Sequence, residues 1–482
     1  MTGTYLGLDI GTSGVKALLI GAGQEILAEA HAPLEVSRPN DGWSEQDAGS
    51  WWTAVQVAMD TLAASAPQAL AALRGIGLSG QMHGATLLDA ADRPLRPAIL
   101  WNDGRSAVEC DELDAAADFR GIGGNLVMPG FTAPKLQWVR EHEPEVFAKV
   151  AKVLLPKDYV RLMLTGEHAS DMSDSAGTLW LDVRARDWSD PLLAATGLSR
   201  DHMPALVEGS APSGQLRKTL ADRWGITGTV TVAGGGGDNA ASACGVGAVE
   251  PGNGFLSLGT SGVLFVSTAG FAPNTDEAVH AFCHAIPDTW HQMGVILSAT
   301  DSLNWLSRMT GKSQADLAAE AAGVADTPVT FLPYLSGERT PHNNADARGS
   351  FTGLSQTTDT GDLARAVLEG VAFAFADSVD ALGAAGTRAQ RVFAIGGGAQ
   401  SRAWLQIIAD TTGLPLLIPQ KGDFGGAFGA ARLGLCAAEG ADPAEVCSAP
   451  PAAGEVTPDA ARGAVYADKL ARFRTLYPVL NA

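Results

Sequence analysis

The sequence predicts an α/β protein with two related domains facing each other. Three observations carry this. Strand-like apolar runs alternate with helical stretches, the pattern of sheets flanked by helices. The chain has 482 residues, 46% of them hydrophobic, enough to fill two or three cores. The segment Leu8-Asp9-Ile10-Gly11-Thr12-Ser13-Gly14 recurs 248 residues later as Leu256-Ser257-Leu258-Gly259-Thr260-Ser261-Gly262, identical at five of seven positions. One strand–turn–strand element per half of the chain implies a duplicated domain.

The elements follow in chain order. Residues 5–9 read as a strand, 11–14 as a turn and 15–20 as the second strand of a hairpin, with Gly21-Ala22-Gly23 turning the chain again. Residues 50–65 carry apolar side chains at helical spacing after the turn-rich Pro39-Asn40-Asp41-Gly42. Short apolar strands are expected at 75–78, 98–100 and 229–232. The loop around Glu250-Pro251-Gly252 divides a first domain, 1–248, from a second, 249–437. Within the second, 363–382 forms a long helix with a stripe of Val367, Val371, Phe375 and Val379, opened by the cap region Thr360-Gly361-Asp362. A strand at 393–395 runs into a glycine cluster and a helix start. The tail, 438–482, is Ala/Pro-rich at first and ends in a helix over 458–477.

Charge narrows the function. Lys and Arg number 33 against 53 Asp and Glu, a net charge of −20, which argues against nucleic acid as the partner. The five cysteines are scattered without a C-x-x-C pair, which suits a reducing compartment and a cytoplasmic enzyme. No basic segment precedes an apolar stretch at the N-terminus, and no run of 18 apolar residues exists, so neither a signal peptide nor a membrane span is expected.

The two echoed turns are the first candidates for chemistry. A Gly-Thr-Ser-Gly turn offers backbone N–H groups and two hydroxyls to an oxyanion, a phosphate cradle that needs no lysine. Gly11, Thr12 and Ser13 form one such turn, Gly259 and Thr260 the other. They differ at Asp9 against Ser257. A carboxylate beside phosphates serves a hard cation such as Mg²⁺, so Asp9 is the metal candidate. Asp238 follows four glycines at a strand-to-helix junction and is a natural general base, although a lone Asp there also serves as a helix cap. The cluster Gly396-Gly397-Gly398 with Ser401 suits an adenine or ribose-phosphate seat. The segment 425–431, with its small residues, reads as a closely packed helix.

A polar and aromatic group, Gln81, Met82 and His83 with Trp101 and Asp103, suits a hydroxyl-rich ligand. Two other patterns do not hold up. His280-Ala281-Phe282-Cys283-His284 lacks a second pair of metal ligands nearby. Thr310-Gly311-Lys312-Ser313 ends like a phosphate-binding P-loop, but Leu306 stands where the first glycine is required.

LDIGTSG, LSLGTSG and IGGGAQS resemble the phosphate-1, phosphate-2 and adenosine elements of the actin/hexokinase/Hsp70 ATPase superfamily. Together with the Gly-Asp-Asn element and the chain length, they are similar to the FGGY carbohydrate kinases. SGQMHG, AILWNDGR, PGFTAPK, LLPKDY, SDMSDSAGT, GGGGDNAA and FLPYLSGERTPHNN resemble the D-xylulose-phosphorylating branch of that family, over nearly the whole chain from residue 8 to about 430. The resemblance implies two actin-like (ribonuclease H-like) domains with mixed sheets and a deep cleft, the sugar on the N-terminal side and ATP on the C-terminal side. It implies Asp238 as catalytic base, Asp9 as the carboxylate linked to Mg²⁺, and Met82 and His83 as sugar contacts. Gln81, Trp101, Asp103 and Asn239 are expected sugar neighbours. Gly259, Thr260, Gly397, Gly398 and Ser401 are expected nucleotide contacts. A homodimer is the oligomer it implies. Other ketopentoses or polyols remain open as substrates. A nucleotide-dependent switch remains the alternative of another class, and a dehydrogenase would rest on glycine clusters alone.

Overall fold

The computed structural model describes residues 3–420 and 424–481. It holds two seven-stranded mixed sheets, each flanked by helices. In the N-terminal sheet β1 (Thr4–Ile10), β2 (Gly14–Ile20), β3 (Ile26–Pro33), β4 (Leu73–Gly80), β5 (Pro212–Gln215) and β6 (Thr231–Ala233) lie in the order β5-β6-β4-β1-β2-β3. The short strand Gly236–Gly237 also pairs with β4. In the C-terminal sheet β7 (Asn253–Leu258), β8 (Gly262–Thr268), β9 (His280–Cys283), β10 (Trp290–Ile296), β11 (Arg391–Ile395), β12 (Leu416–Pro419) and β13 (Ala452–Val456) lie in the order β9-β10-β8-β7-β11-β12-β13. Both sheets share one plan. A hairpin, β1–β2 or β7–β8, pairs antiparallel, and its first strand pairs in parallel with a later strand, β4 or β11. The two echoed sequences are therefore equivalent places in two copies of one α/β fold.

The helices decide how the halves meet. They are α1 (Ala48–Ser65), α2 (Asp238–Val246), α3 (Thr360–Ala384), α4 (Arg402–Thr412), α5 (Gly426–Glu439) and α6 (Ala460–Leu480). α1 is capped by Asp47, whose carboxylate accepts from Gly49 N–H, and it packs over β2 and β3. α3 starts at a reciprocal cap between Asp359 and Asp362 and buries Val367, Val371 and Phe375. Each such side chain contributes about 1.5–3 kcal/mol on burial.

α2 and α5 are exchanged between the halves. α5 packs on β1, β4 and β6 of the N-terminal sheet. α2 sets Ala243 and Val246 against Phe255, Phe265 and Phe393 of the C-terminal sheet. They cross in close contact: a Cβ at Gly429 would run into the Ala241 carbonyl, and one at Gly7 into the Ala427 carbonyl. The small-residue helix at 425–431 is the close-packed one the composition implied.

Several bounds differ from the sequence reading. α1 begins two residues earlier and α3 runs from 360 to 384. The glycine cluster after β11 does not open a helix. Gly397–Gln400 is a 3₁₀ turn, and α4 starts only at Arg402, capped by Ser401. The tail is part of the C-terminal half: β13 pairs with β12, and α6 packs on α4. No described helix is long and apolar enough to cross a membrane.

Candidate active site

Two cavities of about 700 Å³ each open between the halves. Met82, His83, Trp101, Asp238 and Asn239 of the N-terminal half line the first, and Thr260, Ser261, His280, Phe282 and Arg339 of the C-terminal half face them. The second lies at the end of β11 and β12. Gly396, Ala399, Gln400, Ile418 and Phe424 line it, with Lys16 and Glu29 from the N-terminal sheet.

Asp238 is the first residue of α2, one step beyond Gly237. Its Oδ1 accepts from the backbone N–H of Asn239 (2.7 Å) and from Asn239 Nδ2 (3.0 Å), which leaves Oδ2 toward the cavity. Burial, and then the charge of Asp9, push its pKa up to about 6. Asp9 ends β1 beside β4, where its Oδ1 accepts from Ser79 Oγ at 2.8 Å. Burial raises it too, while Ser79 and the Lys16 ammonium oppose the shift. The start of α5 closes on this pair. A Cβ at Gly426 would meet Ser79 Oγ at 2.7 Å and Asp9 Oδ2 at 3.2 Å. Asp9 and Asp238 bear on each other electrostatically, and carboxylate oxygens of this kind would fit a hard divalent cation together with phosphate oxygens.

His83 has a left-handed backbone (φ 69) that turns its ring into the cavity. Its Nδ1 lies 2.6 Å from Gly177 O, so that nitrogen carries the proton and Nε2 is left as an acceptor. Burial and the nearby Lys135 push its pKa down to about 3, so the ring is neutral. Lys135 Nζ donates to His83 O (2.9 Å) and Gly130 O (2.7 Å), fixing the loop from beneath. Trp101 is 48% exposed and presents its face to the cavity while its Nε1 donates to Thr12 Oγ1 at 3.0 Å.

Other candidates lie elsewhere. Asp103 does not reach the cavity. Its carboxylate is taken by Arg105 (Nε 2.9 Å, Nη2 2.7 Å) and by Ser44 N–H. Gln81 is also buried behind the wall, accepting from Thr12 Oγ1 (2.9 Å) and donating to Gln46 Oε1 (2.8 Å). The Thr12 hydroxyl, which donates to Gln81 and accepts from Trp101, is committed, so Ser13 carries the exposed hydroxyl of the first turn. Gly11 closes that turn through Gly14 O (3.0 Å). In the second turn the Gly259 and Thr260 carbonyls are tied to Thr300 and Ala299 N–H, and Thr260 and Ser261 point outward. Around the second cavity it is Gly396, Ala399 and Gln400 that line the wall, not Gly397, Gly398 or Ser401. Gly398 packs on Leu258, and Ser401 Oγ accepts from Trp404 N–H as a helix cap.

The sequence reading missed Lys16, Lys135 and Arg339. Only their place inside the segments IGTSGVK, PGFTAPK and SGERTPHNN could have pointed to them. His280 and His284 form no metal pair. His280 stands on β9 and His284 just past its end, and their rings face Asn125 Oδ1 and Ala248 O.

Family models for the FGGY carbohydrate kinases match this chain twice, the N-terminal domain over residues 4–245 and the C-terminal domain over 254–438. The chain belongs to the FGGY family of carbohydrate kinases. It is 52% identical to a xylulose kinase of Escherichia coli (strain K12) over 481 residues, 99% of each chain. A solved xyloylose kinase from Brucella ovis superposes with a TM-score of 0.97 at 57% identity, covering 99% of both chains. A xylulose kinase from Rhodospirillum rubrum superposes at 0.91 with 31% identity and the same coverage. As an FGGY carbohydrate kinase it is an enzyme with the actin-like two-domain fold.

Proposed function

We propose that this protein transfers the γ-phosphoryl group of ATP to the 5-hydroxyl of D-xylulose, giving D-xylulose 5-phosphate and ADP. The observation that carries the reading is Asp238: a half-buried carboxylate on the wall of the first cavity, with its pKa raised to about 6, opposite the exposed Thr260–Ser261 turn. The relatives that share half or more of its sequence act, by name, on xylulose.

The sugar lies between His83, Trp101 and Asn239, with its terminal hydroxyl on Asp238 Oδ2. Asp238 takes the hydroxyl proton as the oxygen forms its bond to phosphorus, and ADP leaves with the broken P–O bond. The turns at 11–14 and 259–262 donate to the phosphates, and Asp9 is the residue that would hold Mg²⁺. When bound, that ion neutralises charge on the phosphates. In such transfers positioning and electrostatics supply most of the rate. We assign residues 1–248 to the sugar side, 249–437 to the ATP side and 438–482 to the tail, and place the enzyme in the cytoplasm.

ADP release from Mg·ATP, measured alone and with D-xylulose, D-ribulose, L-ribulose, xylitol or glycerol, tests the reaction. Strong stimulation by D-xylulose alone is expected. Stimulation by another of these sugars instead would overturn the substrate, and none at all would turn the reading toward a nucleotide switch. Asp238→Ala should lower kcat by about 10²–10⁴-fold while sugar affinity is kept. A variant within tenfold of wild type would remove Asp238 as the base.

A further inference from the structure

The wall that the C-terminal half contributes to the first cavity carries one cation among the described residues, Arg339. Its backbone is held by hydrogen bonds that make no use of its side chain. Glu338 Oε1 accepts from the N–H groups of Leu297 (2.9 Å) and Arg339 (2.7 Å). Thr340 Oγ1 accepts from Val295 N–H (3.0 Å) and donates to Ala278 O (3.0 Å), and Thr340 N–H donates to Val295 O (3.0 Å). The loop is thus stitched to the end of β10 on both sides of Arg339.

The guanidinium itself has little to do in the fold. Its one hydrogen bond reaches Asn343 Oδ1 at 3.4 Å, and no described carboxylate oxygen lies within ion-pair distance. Several other arginines are held by the fold: Arg105 with Asp103 and Glu45, Arg186 with Glu208, Arg432 with three backbone carbonyls. Arg339 is half-buried, so its guanidinium reaches the water of the cavity, and no described ion pair competes with a ligand for it. The charge of Arg339 bears on His83 across the cavity and on His280 beside it.

The remaining polar groups there are mostly acceptors or already committed. His83 offers only Nε2, since Nδ1 is given to Gly177. Asp238 accepts. Trp101 Nε1 is given to Thr12, and Lys135 to two carbonyls. A ketose has one oxygen that accepts and cannot donate, its carbonyl. A polyol has none.

We propose that Arg339 is a specificity-determining residue whose guanidinium donates to the carbonyl oxygen of a ketose spanning the cavity from His83 and Asp238, so that keto sugars are favoured over polyols. The inference rests on the reading of this cavity as the sugar site. A hydroxyl placed against Arg339 can accept as well, but its own proton must then find an acceptor; Met293, Val295 and Leu297 supply none, and on that wall only His280 Nε2 and Ser336 Oγ could take it. A charge-assisted hydrogen bond of this kind changes affinity by about 10–100-fold when its donor is removed.

Dissociation constants for D-xylulose and xylitol, read from tryptophan fluorescence of the nucleotide-free enzyme, test it. Arg339→Met should weaken D-xylulose by about 10–100-fold and xylitol by less than about threefold, so that the preference collapses. Equal losses for both ligands, or no loss for either, would overturn the assignment. Should the methionine variant fail to fold, Arg339→Lys carries the test: it keeps the charge, loses the planar fork and should weaken D-xylulose selectively. Equal weakening of both ligands by lysine overturns the proposal in that case. A wild-type enzyme that neither binds nor phosphorylates D-xylulose would refute the proposed function instead, whereas normal binding with unaltered preference in the variants refutes only the role of Arg339.

Discussion

At Asp238 the same burial acts on rate and on stability, with opposite signs. Its pKa is raised to about 6, and a base works only when ionised. The rate constant kcat/KM should therefore fall tenfold per pH unit below about 6 and level off above about 7. His83 adds no second ionisation, because its pKa is pushed down to about 3 and the ring stays neutral through this range. A limiting slope of two in the pH–rate profile would mean that a second group titrates with the base, Asp9 being the neighbour whose own proton affinity burial raises. For stability the sign reverses. A carboxyl group whose pKa is higher folded than unfolded favours the fold while protonated, and that advantage is lost as pH rises through about 6. Asp238→Asn should then be more stable than wild type at pH 7–8, by on the order of 1 kcal/mol, with the difference vanishing near pH 4. Thermal unfolding at both pH values checks it. An advantage over wild type no larger at pH 8 than at pH 4 would show that solvent in the open cleft already relieves the charge.

Among the elements, the crossing of α2 and α5 fixes where Asp238 and Asp9 sit. α2 begins at Asp238, and α5 begins at Gly426 against Asp9. Gly429 is where the two helices touch, and a methyl group there would press on the Ala241 carbonyl, which cannot give as a flexible side chain can. Gly429→Ala should cost about 2–3 kcal/mol, seen as a lowered midpoint in urea, and should depress kcat by shifting the start of α2. A fully stable and active variant would mean that the helices slide without cost. This crossing also marks the limit of what the sequence could tell. The hairpins at 4–20 and 253–268 were legible because alternating apolar runs around a Gly-Thr-Ser-Gly turn allow little else, and α3 because Val367, Val371, Phe375 and Val379 recur at helical spacing. The place of Asp238, at a strand-to-helix junction after four glycines, was legible too. The exchange of α2 and α5 between sheets was not, since small-residue helices look alike wherever they pack. Nor was the burial of Asp103 and Gln81: a polar side chain in a loop reads the same whether it faces a ligand or, as here, Arg105 and Gln46.

Over the whole molecule, both cavities are shared between the halves, so ligands there bridge the two sheets. The first cavity, at about 700 Å³, is far larger than a five-carbon sugar needs. Closure of the halves about the α2–α5 crossing would shrink it, bring the 259–262 turn toward Asp238 and remove water that could otherwise take the phosphoryl group. On the proposed function, a sugar touching His83 and Asp238 of one half and the C-terminal wall of the other would have a way to drive that closure, because only a ligand with more contacts in the closed state shifts the equilibrium toward it. The expected signature is twofold. D-Xylulose should lower the radius of gyration measured by small-angle scattering, and ATP hydrolysis without sugar should run at no more than about 1% of the rate of transfer to sugar. Xylitol, which lacks the carbonyl, should compact the protein less at saturation. If D-xylulose left the radius unchanged while hydrolysis stayed suppressed, water would be excluded by the shape of the open cleft alone, and the closure argument would fail even with the chemistry at Asp238 intact.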